Sequence, residues 1–305
     1  MTALVEANNI SKSFESFLAV DDINFSLEKG EVLGFLGPNG AGKTTTMRIL
    51  TGFLKPSSGS IKINGLDLFK NLKKAREFIG YVPEGSPLYN EMTTIDFLSF
   101  ICEIRNIDKG QNLSKIIKLL DLDEVLLQKI DTLSKGFKRR VGLAQALVHD
   151  PKILILDEPT DGLDPNQKHE VRKLIKKLGK EKSIIISTHI LEEVKAICNR
   201  TMILSNGKLL IDDTPTNVLK KSSSYNNLLV SVYDKSAIEL KKELQTLNNF
   251  KYIDVNNNLC SIKLKSTSDA SFLSNYLLKK KYAIKHYSIN KGQLDEVFRQ
   301  LTNTE

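Results

Sequence analysis

Short apolar runs alternate with amphipathic stretches through the first two thirds of the chain. The runs typical of strands cover residues 32–36, 61–63, 78–82, 152–156, 183–187, 201–204 and 208–211, and a helix is predicted over about 43–52. This alternation predicts a mostly parallel α/β sheet. From about residue 92 to 150, apolar residues recur every three or four positions, which predicts a helical block inserted into the α/β core.

The last third of the chain has its own pattern. A short helix is predicted to begin at Thr214-Pro215, and a polar break follows at Lys221-Ser222-Ser223-Ser224. We therefore expect two domains, residues 1–220 with a helical subdomain at about 84–150, and residues 225–305. The tail predicts strands at 228–233, 251–255, 260–264 and 282–288, and helices at 236–247, 269–280 and 293–301. This βαββαβ order is typical of a small α+β ferredoxin-like sandwich.

Composition excludes several classes of protein. The chain has 305 residues, of which 41% are hydrophobic and 26% charged, as in ordinary globular proteins and unlike fibrous or disordered chains. A membrane-spanning helix needs ~20 apolar residues, and no such run is present, nor is a secretory signal expected at the N-terminus. The three cysteines, Cys102, Cys198 and Cys260, are too far apart to suggest a disulfide framework or a zinc site, so we expect a reducing cytoplasm.

The charge balance is basic, with a net charge of +8, and the last 85 positions carry 13 basic and 8 acidic residues. A basic balance is compatible with nucleic acid, an anionic membrane surface or phosphate ligands. Because the charges are mostly spread singly along amphipathic stretches, a solvated surface is the favoured interpretation and a membrane-surface role the main alternative.

A glycine-rich segment after the strand at 32–36 matches the phosphate-loop pattern G-x-x-x-x-G-K-[ST]. Gly40 and Gly42 allow backbone N–H groups to turn toward a phosphate, Lys43 adds a positive charge, and the Thr44 hydroxyl suits Mg²⁺. A chance match is the alternative, but a strand precedes the motif and a helix follows it. We assign to nucleotide binding Gly37, Pro38, Asn39, Gly40, Ala41, Gly42, Lys43, Thr44 and Thr45.

A second candidate lies at the end of the strand at 152–156, where Asp157 and Glu158 follow four apolar residues. Ligands of parallel sheets lie at the carboxyl ends of the strands. Asp157 would hold the water shell of Mg²⁺, and Glu158 would polarise an attacking water. Taken alone, such an acidic pair is more typical of a helix cap; beside a phosphate loop, the catalytic role is favoured.

Ahead of this strand stands Leu133-Ser134-Lys135-Gly136-Phe137. With the phosphate loop and the acidic strand end, this segment resembles the signature of the ATP-binding subunits of ABC transporters, and the resemblance covers about residues 3–220. It implies a P-loop NTPase with a RecA-like core, an antiparallel β subdomain and an inserted helical subdomain, which hydrolyses ATP with Mg²⁺ as a homodimer. Ser134 and Gly136 are then expected to contact the γ-phosphate bound to the other subunit. From its residue type alone, Ser134 is a helix N-cap.

The resemblance assigns further residues. Asp164 matches the carboxylate of the dimer-contact loop, and His189 matches the switch histidine that senses the γ-phosphate. With His189, we assign Glu158 and Lys43 to catalysis. Phe14 stands where the family has the aromatic that stacks on adenine, with Phe17 a weaker candidate. Without the family, a structural histidine and a core aromatic are the alternatives.

Two departures from the family pattern are present. Glu84 stands where glutamine is usual, and we assign it to the metal site with Thr44 and Asp157, since a carboxylate can ligate Mg²⁺. Lys135 and Phe137 replace a glycine and a glutamine of the signature. These features resemble ABC-2-type exporter ATPases, including the gliding-motility-like group, as do Gly85-Ser86-Pro87-Leu88-Tyr89 and the tail ending Leu294-Asp295-Glu296-Val297-Phe298. The resemblance implies an ABC-2-type membrane permease as partner, and a location on the inner face of the cell membrane.

Two other functions are alternatives to transport. A soluble ABC ATPase that acts on nucleic acid or ribosomes is compatible with the charge, but this chain has a single ATPase module and no sustained heptads. We therefore expect no nucleic-acid partner. A GTPase switch would need Asn-Lys-x-Asp, and Asn290-Lys291 is followed by Gly292-Gln293.

Overall fold

The computed structural model describes residues 3–85, 87–247, 250, 252–256, 258–264, 266 and 268–302. Its strands are β1 (Val5–Phe14), β2 (Phe17–Leu27), β3 (Val32–Leu36), β4 (Ser58–Ile63), β5 (Leu66–Asp67), β6 (Ile79–Val82), β7 (Ile153–Asp157), β8 (Ser183–Thr188), β9 (Arg200–Ser205), β10 (Lys208–Asp213), β11 (Asn227–Val232), β12 (Tyr252–Asn256), β13 (Leu259–Lys263) and β14 (Ile284–Ile289). Its α-helices are α1 (Lys43–Leu50), α2 (Leu72–Glu77), α3 (Thr94–Ile104), α4 (Lys109–Leu119), α5 (Lys135–Leu147), α6 (Pro165–Leu178), α7 (Leu191–Ile197), α8 (Pro215–Lys220), α9 (Ala237–Gln245), α10 (Ser268–Lys279) and α11 (Leu294–Thr302). The chain divides into two compact units, Met1–Pro215 and Thr216–Glu305.

A six-stranded sheet forms the centre of the first unit, in the order β10-β9-β3-β8-β7-β6. All its neighbouring strands are parallel except the pair β9–β10, so the predicted α/β core is confirmed. Strands β3, β7 and β8 are buried at every position, which explains their unbroken apolar sequences. The register pairs Leu36 with Thr188 and Asp157 with Ser187. The segments that follow β3, β7 and β8 therefore meet at one edge of the sheet.

A second, antiparallel sheet in the first unit has the order β2-β1-β4-β5. Its apolar face shares one core with the six-stranded sheet, in which Ile23 and Ile61 pack with Phe35 and Ile155. The antiparallel β subdomain expected from the resemblance is thereby confirmed.

The inserted block consists of α3, α4 and α5, with two short 3-10 segments, Asp123–Val125 and Ile130–Thr132, between α4 and α5. Buried side chains from these helices, such as Phe97 and Val141, pack with Leu154 and Ile186 of the central strands. This packing fixes α5, and hence Ser134 at its start, against the sheet that carries Asp157.

The second unit has a four-stranded antiparallel sheet in the order β12-β13-β11-β14. Leu240 of α9 and Leu273 of α10 pack on one face of this sheet with Val230. Residue 251, where a strand was predicted to begin, lies outside the described residues. Strand β14 begins at Ile284 rather than at residue 282, because α10 closes in a turn in which Tyr282 N donates to Leu277 O at 3.1 Å.

The carboxylate of Glu243 stabilises the second unit. Glu243 of α9 accepts hydrogen bonds from Tyr276 Oη at 2.6 Å, from Tyr282 Oη at 2.9 Å and from Lys235 Nζ. Burial raises the pKa of Glu243, but these three donors outweigh burial and lower the pKa to about 2.

The second unit should therefore lose stability in acid. Because the folded pKa of Glu243 lies below its ordinary value of 4.5, its stabilisation is complete above about pH 4.5 and is lost as the pH falls toward about 2. We expect Glu243→Gln to lower the unfolding temperature at pH 7 by about 5–10 °C, and by less at pH 3. Tyrosine fluorescence reports mainly this unit, which holds six of the eight tyrosines. Glu170→Gln, at an exposed position of α6, is the control; an equal shift at both pH values would contradict the prediction.

Candidate nucleotide-binding site

The loop between β3 and α1 has a backbone shape that glycine alone supplies. Gly42, the N-cap of α1, has a φ of 95°, and a Cβ there would lie 2.5 Å from Ala19 O. A Cβ at Gly37 would lie 2.6 Å from Leu204 O. None of the side chains that the structure describes caps α1, and the first turn of this helix holds no acidic residue. The amide groups at the start of α1 are therefore available to an anion.

The Lys43 side chain lies inside this loop and is only 6% exposed. Its Nζ donates to Gly37 O at 2.8 Å and to Pro38 O at 3.1 Å, and lies 3.5 Å from Glu158 Oε1. The loop thus carries a buried positive charge at its centre, where phosphate oxygens would be bound.

Asp157 forms the next part of the site. Its Oδ1 accepts from Thr44 Oγ1 at 3.3 Å and from Ser187 Oγ. Its Oδ2 is buried and has no hydrogen-bond partner among the described residues. A buried carboxylate oxygen without a partner is costly, and a carboxylate beside a hydroxyl is a donor set that Mg²⁺ prefers. Thr44 and Asp157 therefore fit a magnesium ion.

The Glu158 carboxylate lies between the side chains of Lys43 and His189. Its Oε2 lies 3.0 Å from His189 Nδ1, while Oε1 faces Lys43. The backbone at Glu158 has a φ of 47°, an uncommon conformation for a residue with a side chain, and its N–H bonds to both Ser187 O and Ser187 Oγ at 3.1 Å. Glu158 is 7% exposed, whereas the His189 side chain is 46% exposed. The carboxylate is thus held in one place, next to a histidine that solvent can reach.

Ser134, Gly136 and Asp164 form a separate group. Ser134 caps α5, with Oγ accepting from Phe137 N at 3.3 Å, and Asp164 caps α6. A Cβ at Gly136 would lie 3.2 Å from the Gln167 side chain, so the starts of α5 and α6 are neighbours. The N-cap that the residue type of Ser134 predicts is thereby seen in the structure.

The remaining predicted residues lie further out. Glu84 is exposed in the turn after β6. Phe14 lies at the end of β1 and is 45% exposed, so the alternative of a core aromatic is wrong. Lys12 Nζ lies 5.2 Å from the centre of its ring.

One buried residue near the site was given no role by the sequence. Glu193 of α7 is 1% exposed and is bonded to the hydroxyl of Thr188, next to His189. A glutamate pair near a helix start is usually a solvated feature, because acidic residues favour the first turn. Only the packing of α7 shows that the second of the two is buried.

A glycine-rich loop between a buried strand and a helix, with an Asp-Glu pair ending a parallel strand of the same sheet, defines a P-loop nucleotide-binding protein. The family model for ABC transporters matches residues 20–161. The chain is 40% identical over 213 residues to the ABC transporter ATP-binding protein YhcH of Bacillus subtilis, covering 69% of this chain and 70% of the relative. It is 36% identical over 244 residues to the bacitracin transport ATP-binding protein BcrA of Bacillus licheniformis, covering 79% of this chain and 80% of that relative.

Solved structures agree. A dimeric ATP-binding cassette with bound ADP and phosphate superposes with a TM-score of 0.63 at 25% identity, covering 69% of this chain and 98% of that one. The cbiO1 protein of Clostridium perfringens, part of an ABC transporter complex, gives a TM-score of 0.67 at 29% identity, covering 72% of this chain and 92% of that one. The chain belongs to the ABC transporter family and is an ATP-binding subunit, as the sequence predicted. Within the described residues, no helix is both long and apolar enough to cross a bilayer.

Proposed function

We propose that this chain hydrolyses ATP as one of two identical subunits, and that hydrolysis drives export through a separate ABC-2-type membrane subunit. The observation that carries the proposal is the placement of the Glu158 carboxylate between Lys43 and His189 at the mouth of the phosphate loop. A loop that only bound nucleotide would have no need for a second buried carboxylate beside Asp157.

In the proposed reaction, the phosphates occupy the loop and the start of α1, and Lys43 exchanges its contacts with loop carbonyls for phosphate oxygens. Glu158 orients the attacking water and attracts its proton, while the bond from phosphorus to the bridging oxygen breaks to give ADP and phosphate. His189 holds the carboxylate of Glu158 in position. Thr44 and Asp157, with Glu84 as a proposed further ligand, would hold Mg²⁺, which would neutralise charge on the phosphates.

The second group of residues supports a dimer. Ser134 and Gly136 lie at the start of one helix, and Asp164 caps its neighbour. We propose that this group faces the phosphate loop of a second copy, so that ATP is bound between two chains. The solved structure of the ATP-binding cassette with bound ADP and phosphate, which is described as dimeric, supports this assembly.

A groove of about 760 Å³ in the first unit suits a membrane partner. Its lining combines apolar and cationic side chains from the helical block and from the rest of the unit, including Phe53, Tyr81, Ile101, Arg48, Arg76 and Arg105. Phe53 is 68% exposed, and the Arg76 guanidinium lies 4.9 Å from its ring centre. An exposed aromatic flanked by arginine is typical of the centre of a protein interface.

Relatives named for bacitracin transport and linearmycin resistance support export.

We expect Phe53→Asp to lose roughly tenfold or more of the membrane subunit that co-purifies from detergent extracts, because a charge would replace the exposed ring. ATP binding should be unchanged. Leu127→Asp is the control, since Leu127 is 85% exposed and does not line the groove. Equal recovery with the two variants would contradict the docking role of the groove.

Hydrolysis itself is tested with the full chain, alone and with its membrane subunit. We expect release of one phosphate for each ADP formed, at a higher rate with the membrane subunit present. Failure to form ADP under both conditions would overturn the proposed function.

A further inference from the structure

Two neighbouring glutamates of α7 lie in opposite environments. Glu192 is exposed, whereas Glu193 is 1% exposed. Glu193 Oε2 accepts from Thr188 Oγ1 at 2.8 Å, and its Oε1 accepts from Thr160 Oγ1. The two donors are also buried, Thr188 completely and Thr160 at 1% exposure. Each oxygen of one buried carboxylate is thus bonded to a different segment of the chain.

These two segments carry the groups proposed for hydrolysis. Thr160 stands two residues after Glu158, and the intervening turn is closed by Asp161 N donating to Glu158 O at 3.2 Å. Thr188 immediately precedes His189, and its hydroxyl accepts from Ile190 N at 3.0 Å. Through these contacts, Glu193 links the segment of Glu158 to the segment of His189.

The buried charge of Glu193 is partly neutralised by α6. Arg172 Nη2 lies 3.6 Å from Glu193 Oε1, and α6 is the helix capped by Asp164. Burial raises the pKa of Glu193; Thr188, Arg172 and Lys168 act against burial, and the charge of Glu158 acts with it. A glutamine of the same shape would avoid burying this charge. It has one acceptor oxygen instead of two, however, and could not accept from both threonine hydroxyls.

We propose that Glu193 is a positioning residue, which holds Glu158 and His189 at hydrogen-bond distance by bonding the hydroxyls of Thr160 and Thr188 with its two oxygens. The inference rests on the proposed hydrolysis. It concerns the distance between Glu158 Oε2 and His189 Nδ1, and it leaves the loop that binds the phosphates unchanged. Loss of Glu193 should therefore affect turnover and leave nucleotide affinity intact.

The test uses Glu193→Gln in the full chain with its membrane subunit, and Glu192→Gln as the matched control. The glutamine amide has one acceptor oxygen instead of two, so one threonine hydroxyl loses its acceptor. We expect kcat to fall roughly tenfold or more, with KM for ATP and the ATP dissociation constant within about threefold of wild type. Thr160→Val removes one donor at almost the same volume and should give the same split. The double variant should be no slower than the slower single variant.

The possible results distinguish failure of the inference about Glu193 from failure of the proposed function. If the wild type turns over ATP and Glu193→Gln matches Glu192→Gln, the inference is wrong while the proposed function stands. If the wild type forms no ADP, the proposed function fails, and the inference fails with it. A parallel fall in ATP affinity, or normal kcat per folded molecule with a lower unfolding temperature, would indicate a structural role and overturn the inference. If Glu193→Gln does not fold, Thr160→Val decides by the same criteria.

Discussion

Replacing Glu158 by glutamine should leave ATP binding intact and lower the rate of hydrolysis about 1000-fold, within the range that general-base catalysis contributes. Glutamine has the shape of glutamate and can keep a hydrogen bond to His189 Nδ1, but it cannot accept a proton from water. With ATP trapped between the two copies, the variant should accumulate as a dimer, because the bound triphosphate would no longer be converted to products.

This prediction is checked by measuring phosphate release, nucleotide affinity and mass in solution on the same preparation. We expect ATP, and not ADP, to convert the variant from monomer to dimer. Glu192→Gln, at an exposed site near the same edge of the sheet, should behave as wild type in all three measurements. Normal turnover in Glu158→Gln would remove Glu158 from the proposed reaction.

The second large effect is expected at Lys43, where binding itself should be lost. Lys43→Met keeps the length of the side chain but removes the only charge that the structure places inside the described loop, 3.5 Å from Glu158. Without it, phosphate oxygens lose a cationic donor, and Glu158 adds repulsion that is no longer offset. Removing one partner from a buried charged contact costs ~2–5 kcal/mol, so we expect ATP affinity to fall about 100-fold or more.

Calorimetric titration with MgATP measures this loss directly. The control is Lys62→Met on β4, whose lysine is 51% exposed and pairs with Glu6 at 3.9 Å. The two variants of the site should thus differ in kind: Glu158→Gln binds ATP without converting it, and Lys43→Met does not bind it well. Micromolar or tighter binding by Lys43→Met, equal to that of the control, would contradict the assignment of the loop.

The sequence predicts that these site residues lie close together, because they are consecutive in the chain or follow the ends of neighbouring strands. Gly37 to Thr44 form one continuous loop, so their proximity needs no knowledge of the fold. Asp157 and Glu158 follow an apolar run, and the general rule that ligands lie at the carboxyl ends of parallel strands places them near that loop. His189 follows another such strand. For these residues, the position in the chain and the rule for ligands of parallel sheets are enough to predict that they lie close together.

Other parts depend on contacts between distant positions. Strands β1 and β2 were not predicted from the pattern, because β1 is buried at Val5, Ala7 and Ile10, and irregular pairing interrupts the alternation. The order of the central sheet, with β8 between β3 and β7, depends on pairing between distant positions and leaves no local pattern. Glu193 likewise bonds to Thr160, 33 positions away, and nothing near it in the sequence marks that contact.

The anchored conformation of Lys43 has a consequence for the thermodynamics of ligand capture. A free lysine side chain carries ~2 kcal/mol of rotamer entropy. Here that freedom is given up during folding, since Nζ is held by two carbonyl oxygens of its own loop at 2.8 and 3.1 Å. An arriving triphosphate therefore exchanges one set of oxygen acceptors for another and does not have to immobilise a mobile side chain, so the entropic cost at this residue belongs to folding and not to binding.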